Sequence, residues 1–181
     1  MKLSQLIKHW GVARNPAAGD KRPWGVSPTG RWVPLSPTNP ATWMSAAEAW
    51  KAAKSLSPDA RVGALLTPGC GVTVVDMDED YRGNQMDMVR WLDSYAETST
   101  SGRGTHIFVQ ADLAGGVRDA RQDIEVYGQE RFIIVTGNVI EGRDSVEPRQ
   151  DKIDRLVARL GGLKNVSKPV VAAAGEASEE A

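Results

Sequence analysis

The sequence predicts an α+β domain: short apolar strands that carry the polar motifs, with a few helices packed on them. Two observations lead there. Apolar runs of three to six residues, broken by Gly and Pro, recur at 62–66, 72–75, 107–109 and 132–135. Three other stretches follow helical rules instead, one opened by the capping box Ser45-Ala46-Ala47-Glu48 and two with apolar residues at helical spacing.

Taken in order, residues 13–42 hold six of the ten prolines, so only short strands fit there, Trp24-Gly25-Val26 and Trp32-Val33-Pro34. The capping box starts a helix that runs to about Leu56, before Ser57-Pro58. Residues 62–66 and 72–75 read as a hairpin around Pro68-Gly69. A helix is expected from about Gln85 to Tyr95, with Met88, Trp91, Leu92 and Tyr95 as its core stripe. A strand from His106 to Val109 follows, then a loop over 113–121. Residues 123–127 and 131–135 read as two strands joined by a turn at Gly128. A last helix spans about 151–160, with Ile153, Leu156, Val157 and Leu160 on one face and Gly161-Gly162 ending it. Residues 1–163 are thus read as one domain and 164–181 as a disordered tail.

Composition excludes several classes. No apolar run reaches the length of a membrane span, and Met1–Lys8 lacks the apolar core of a signal peptide. One cysteine, Cys70, forms no internal disulfide, and with only His9 and His106 it does not furnish a tetrahedral zinc site. A cytoplasmic setting is expected, in a bacterial, archaeal or phage-infected cell. The net charge of −1 hides an asymmetry. Residues 1–69 carry nine Lys/Arg against three Asp/Glu, a net of +6, and the remainder carries −7. Five of the six tryptophans lie in the basic part. Bases stack on aromatic rings and phosphates attract cations, so this part suits a template strand. Trp43 and Trp50 are expected in the core. Trp24, beside Lys21 and Arg22, is the candidate for an exposed ring.

Three motifs carry chemistry. In Val72-Thr73-Val74-Val75-Asp76-Met77-Asp78 the period of a strand puts Asp76 and Asp78 on one face. Two carboxylates held together repel unless a cation joins them, and a hard ion such as Mg²⁺ brings phosphate with it. Glu79 and Asp80 continue the acidic run, so a solvated acidic turn is the competing reading. In Ser99-Thr100-Ser101-Gly102-Arg103-Gly104-Thr105-His106, glycines bring backbone amides near an anion and Arg103 adds a cationic fork. A lone histidine is more often structural, but His106 follows the Gly-Arg-Gly turn directly. In Asp123-Ile124-Glu125-Val126-Tyr127, Glu125 shares strand parity with Tyr127 and is either a merely exposed acid or a third carboxylate of a metal site.

The order of these motifs, closed by Arg131-Phe132-Ile133-Ile134-Val135-Thr136-Gly137, resembles the catalytic domain of the archaeo-eukaryotic primase superfamily, in particular the bifunctional primase-polymerase domains of phages and plasmids. The resemblance covers about residues 12–142. It implies a sheet related to the RNA-recognition fold over about 61–142 and a small, basic, Trp-rich α/β module over about 1–60. It implies template-directed transfer of a (d)NTP to a 3′-hydroxyl in DNA replication, with single-stranded template and primer as partners. Asp76, Asp78 and Glu125 would hold Mg²⁺ or Mn²⁺. Ser101, Arg103, Gly104 and His106 would hold the triphosphate, with Arg131 a weaker candidate whose competing role is a surface ion pair. Lys21, Arg22 and Trp24 would contact nucleic acid. Larger relatives carry a helical priming domain and often a helicase, so those functions are expected from a partner, such as a replicative helicase or a separate helical priming domain, or from a missing part of a longer protein. A non-catalytic nucleotide or single-strand binding module, which needs no three carboxylates, and a metal-dependent nuclease are the alternatives.

Overall fold

The computed structural model describes residues 1–162, so the expected tail over 164–181 lies outside the described residues. The fold is α+β, with two five-stranded antiparallel sheets and a few helices. Sheet A contains β1 (Trp10–Asn15), β2 (Asp20–Val26), β3 (Trp32–Pro34), β4 (Arg61–Leu66) and β10 (Arg131–Ile134), ordered β10-β4-β1-β2-β3. Sheet B contains β5 (Val72–Met77), β6 (Tyr95–Thr98), β7 (Thr105–Gln110), β8 (Gly116–Asp119) and β9 (Ile124–Tyr127), ordered β6-β7-β5-β9-β8. The helices are α1 (Leu3–Leu6), α2 (Ala46–Leu56), α3 (Gln85–Leu92) and α4 (Gln150–Arg159).

Local chemistry sets several boundaries as expected. Ser45 and Glu48 form the capping box of α2, each side chain meeting the other residue's backbone N–H. Asn84 caps α3 through its side chain, and Asp93 ends it in the left-handed region, at φ 49°. Tyr95, expected as the last helical residue, instead opens β6. β2 and β3 pair at Trp24–Pro34 and Val26–Trp32, the two short strands foreseen in the proline-rich stretch. α4 buries Ile153, Leu156 and Val157.

Both expected hairpins are absent, and the reason is shared. β4 pairs with β1 and β10, whereas β5 pairs with β7 and β9. Likewise β9 belongs to sheet B and β10 to sheet A. Each Gly-containing turn therefore carries the chain between sheets. At the second crossing Gly128 lies so close to Leu113 that a Cβ would stand 2.1 Å from its carbonyl oxygen, and only glycine fits. β1, β6 and β8 are strands that sequence did not foresee. The basic stretch 1–60 is not closed on itself, because β4 and β10 complete its sheet.

Two packed layers hold the site in place. Val12, Val62, Ala64 and Leu66 of sheet A share one apolar cluster with Val74, Phe108, Tyr127 and Tyr95 of sheet B, with Ala49 and Ala53 of α2. The opposite parity of sheet B, Val75, Met77, Ile107 and Val109, packs against α3 and α4. Strand alternation thus places Asp76 on the face that looks toward the first cluster.

Candidate active site

The polar motifs meet in a single row across sheet B. In β5 the residue Asp76 stands opposite His106 of β7 on one side and Glu125 of β9 on the other. Beyond them, Glu97 of β6 stands opposite His106, and Arg118 of β8 opposite Glu125. Directly opposed residues of antiparallel strands share a face, so the row Glu97–His106–Asp76–Glu125–Arg118 projects one side chain from each of five strands. The neighbouring row, Tyr95–Phe108–Val74–Tyr127–Gly116, is apolar except for two phenols and belongs to the shared core. The polar row therefore borders the shared core on the same face of sheet B.

Glu97 was not singled out from sequence, yet it is the most deeply placed member. It is 0% exposed. Its carboxylate accepts from the Tyr95 hydroxyl at 2.9 Å and from the amides of Thr136 and Gly137 at 3.0 and 3.1 Å. His106 Nδ1 lies 3.2 Å from Glu97 Oε1. Because the carboxylate only accepts, this geometry assigns the proton to Nδ1 and aims Nε2 at Asp76, 3.6 Å away. Burial lowers the tendency of His106 to protonate, but the bond to Glu97 and the charges of Asp76 and Glu97 outweigh it and its pKa is raised. Asp76 is half-buried, with 27% of its side chain exposed. Burial raises its pKa, and Asp78 and Glu125 push it further, against opposition from His106 and Lys21.

Glu125 is engaged on both oxygens, by Arg118 Nε at 2.7 Å and by the Tyr127 hydroxyl. Asp78 lies one step past the end of β5, and its amide donates to Asp123. Among the described residues, no three His, Cys, Asp or Glu side chains are already gathered as a metal cluster. The donor set fits a hard cation nonetheless: Asp76 is a carboxyl penalised by two negative neighbours, which a cation would relieve.

The glycine turn is more self-contained than expected. The amides of Gly102, Arg103 and Gly104 bond to Ser99 O, Ser101 Oγ and Ser99 Oγ. Arg103 pairs with Glu79 of the acidic turn. Gln85 ties the two turns together, donating to the carbonyls of Asp78 and Arg103 at 3.1 Å each and accepting from the Thr105 hydroxyl. The two motif turns thus form one unit, and an incoming anion must compete with Glu79 for Arg103.

A cleft of about 660 Å³ on sheet A has Leu35, Leu65 and Phe132 in its wall and Lys21, Arg22 and Arg131 among its cations. Lys21 connects it to the row, since its charge acts on both Asp76 and His106. Arg131 stacks over the Tyr127 ring at 4.3 Å and so reaches the partner of Glu125. Arg22 lies 3.6 Å from Asp20. Trp24 differs from expectation. It is half-buried, Arg14 covers its ring at 3.8 Å, and its indole N–H finds no hydrogen-bond partner among the described residues. Trp43 is partly buried against His9, while Trp50, expected in the core, is exposed.

Comparison with known proteins adds one similarity. The chain is 27% identical over 124 residues, 62% of its length, to the DNA primase-polymerase of Nitratiruptor phage NrS-1, and spans 17% of that protein. No family model matches.

Proposed function

We propose that this chain is a template-directed nucleotidyltransferase of the primase-polymerase kind, joining a (d)NTP to a 3′-hydroxyl during replication of phage or plasmid DNA. The observation that carries it is the in-register meeting of Asp76, His106 and Glu125 on one face of sheet B. The partial similarity to a phage primase-polymerase points the same way.

In this reading Asp76, Asp78 and Glu125 are the ligands for Mg²⁺ or Mn²⁺. The ions, when bound, activate the 3′-hydroxyl and neutralise the triphosphate and its leaving group. The protein's own residues do the rest. His106, oriented by Glu97 and with its pKa raised, presents Nε2 toward the row and, when protonated, donates from it to a phosphate oxygen. Lys21 adds charge from the cleft side, and Arg103 becomes available when it leaves Glu79. Ser101 and Gly104 set the shape of the turn that carries Arg103. Arg118 holds Glu125 until the ligands assemble. The partners are primed single-stranded template and (d)NTP, with helicase or helical priming functions coming from a partner or from a further part of a longer protein.

Primed template, labelled dNTP and Mn²⁺ test this directly. Asp76→Asn is expected to lower incorporation by about a hundredfold or more, since a lost ligand costs several kcal/mol of transition-state stabilisation. Circular dichroism reports whether it stays folded. Wild-type rates in a folded Asp76→Asn protein would falsify the reading. Degradation of the labelled strand without extension would favour a nuclease.

A further inference from the structure

Helix α2 faces the core with small side chains, Ala49 and Ala53, and so lies close to sheet A. Trp50, one position on from Ala49, cannot follow them inside, and 50% of it is exposed. Its exposed indole presents a flat ring face to solvent at this helix surface. Lys54 lies one turn further along the helix, beside Trp50. Arg61, at the start of β4, joins them across a groove of about 340 Å³. Its guanidinium is fixed by the carbonyls of Pro58 and Ala60, at 2.8 and 2.9 Å, while the residue remains exposed. Among the described residues, none that lines this groove is acidic.

We infer that the groove between α2 and β4 is a binding surface for single-stranded nucleic acid, with one base stacked on Trp50 and adjacent phosphates at Lys54 and Arg61. The chemistry selects that occupant. A flat ring with cations at its flanks and no acid matches alternating bases and phosphates, and it matches every base alike. One residue also links the groove to the row. Thr136 lines the groove, and the Thr136 amide donates to Glu97 behind His106. A strand lying here is held at the edge of sheet A where β10 ends, away from the cleft that holds Lys21 and Arg131. The inference rests on the polymerase reading only for its choice of the template as the strand bound.

The test uses the full chain and a fluorescently labelled oligo-dT of about 16 nucleotides, with anisotropy as the readout. Trp50→Ala is expected to weaken binding by about 5- to 100-fold and Trp50→Phe by much less, because the stacking face is retained. Lys54→Ala with Arg61→Ala is expected to lower the slope of log affinity against log salt by about 1.4, at roughly 0.7 per phosphate contact. Affinity for dNTP stays within about twofold in all three variants. Oligonucleotide affinity unchanged in Trp50→Ala, including the case where the surface proves to take a protein, overturns the inference. The readout is binding, so failure of the polymerase reading appears separately, as wild-type protein that binds the strand through Trp50 yet incorporates nothing.

Discussion

Glu97 brings a charge into the interior and is tolerated there because four donors converge on it. Its removal leaves those donors stranded, so Glu97→Ala is expected to cost about 3–5 kcal/mol in urea denaturation. A loss below about 1 kcal/mol would show that the carboxylate is not the hub of this network. Glu97→Gln keeps the shape and removes the charge. Nitrogen-15 spectra of His106 are then expected to show less protonation at neutral pH, and the KM for dNTP to rise while kcat changes less. The row also fixes how stability responds to pH. The pKa of His106 lies above its ordinary 6.5, so its contribution is whole below 6.5 and lost as pH rises through the folded value. Asp76, also raised, disfavours the fold once it ionises, above its ordinary 3.8. Both work in one direction. The melting temperature, measured without metal, is expected to fall as pH rises above 6.5, and less steeply in His106→Gln. A wild-type profile that is flat over that range contradicts the raised values. At this scale Asp76, His106 and Glu125 were legible because strand parity alone places a residue on a face. Glu97 was not, since two of its partners lie 39 and 40 positions further along the chain.

Elements show where sequence signals stop being decisive. A capping box, a helical stripe and a glycine pair each report on a few neighbouring residues, and the helices they predict are present as α2, α3 and α4. A glycine turn between two apolar runs reports only that the chain reverses. It does not say whether the two strands pair, and at 67–71 and 128–130 they do not. β4 and β5 are buried along most of their lengths, so neither offers the alternating pattern that marks a strand's one solvent face. β8 was hidden by its brevity, four residues ending in Arg118 and Asp119. Gly104 links element to site. A Cβ there would stand 2.6 Å from the Met77 carbonyl and 2.8 Å from Ser99 Oγ. Gly104→Ala is expected to cost about 1–3 kcal/mol and to displace the turn that carries Arg103, weakening dNTP binding. Ser45→Ala, distant from the row, is expected to lose about 1 kcal/mol of stability with incorporation per folded molecule unchanged. Equal losses of nucleotide affinity in both variants would mean that the turn has no particular link to the site.

For the whole molecule, the sheets share one apolar cluster, so the basic stretch and the acidic row are mechanically one body. Among the described residues beyond β10 the one helix is α4, and its apolar face is already buried against sheet B. It leaves no free helical surface to hold a second nucleotide in place of a primer. Extension has its second reactant oriented by base pairing, whereas initiation must fix two free substrates. The chain is therefore expected to extend an annealed primer and to make dinucleotides on unprimed template poorly. Comparable rates for the two products would locate an initiation surface within residues 1–142, with 21–31 the first stretch to examine. No helix of the described residues is long and apolar enough to cross a membrane, as the sequence led one to expect.

The amides that receive the Glu97 carboxylate belong to Thr136 and Gly137, so the order of synthesis matters. A ribosome delivers β5, β6 and β7 well before these two residues. Until they emerge, closing sheet B onto its core would seal an anion away from water with half of its partners missing. The nascent chain should therefore stay open and protease-sensitive until Gly137 has left the exit tunnel, and gain resistance soon after. The carboxylate that steadies the finished row would then act during translation as a timer against premature collapse.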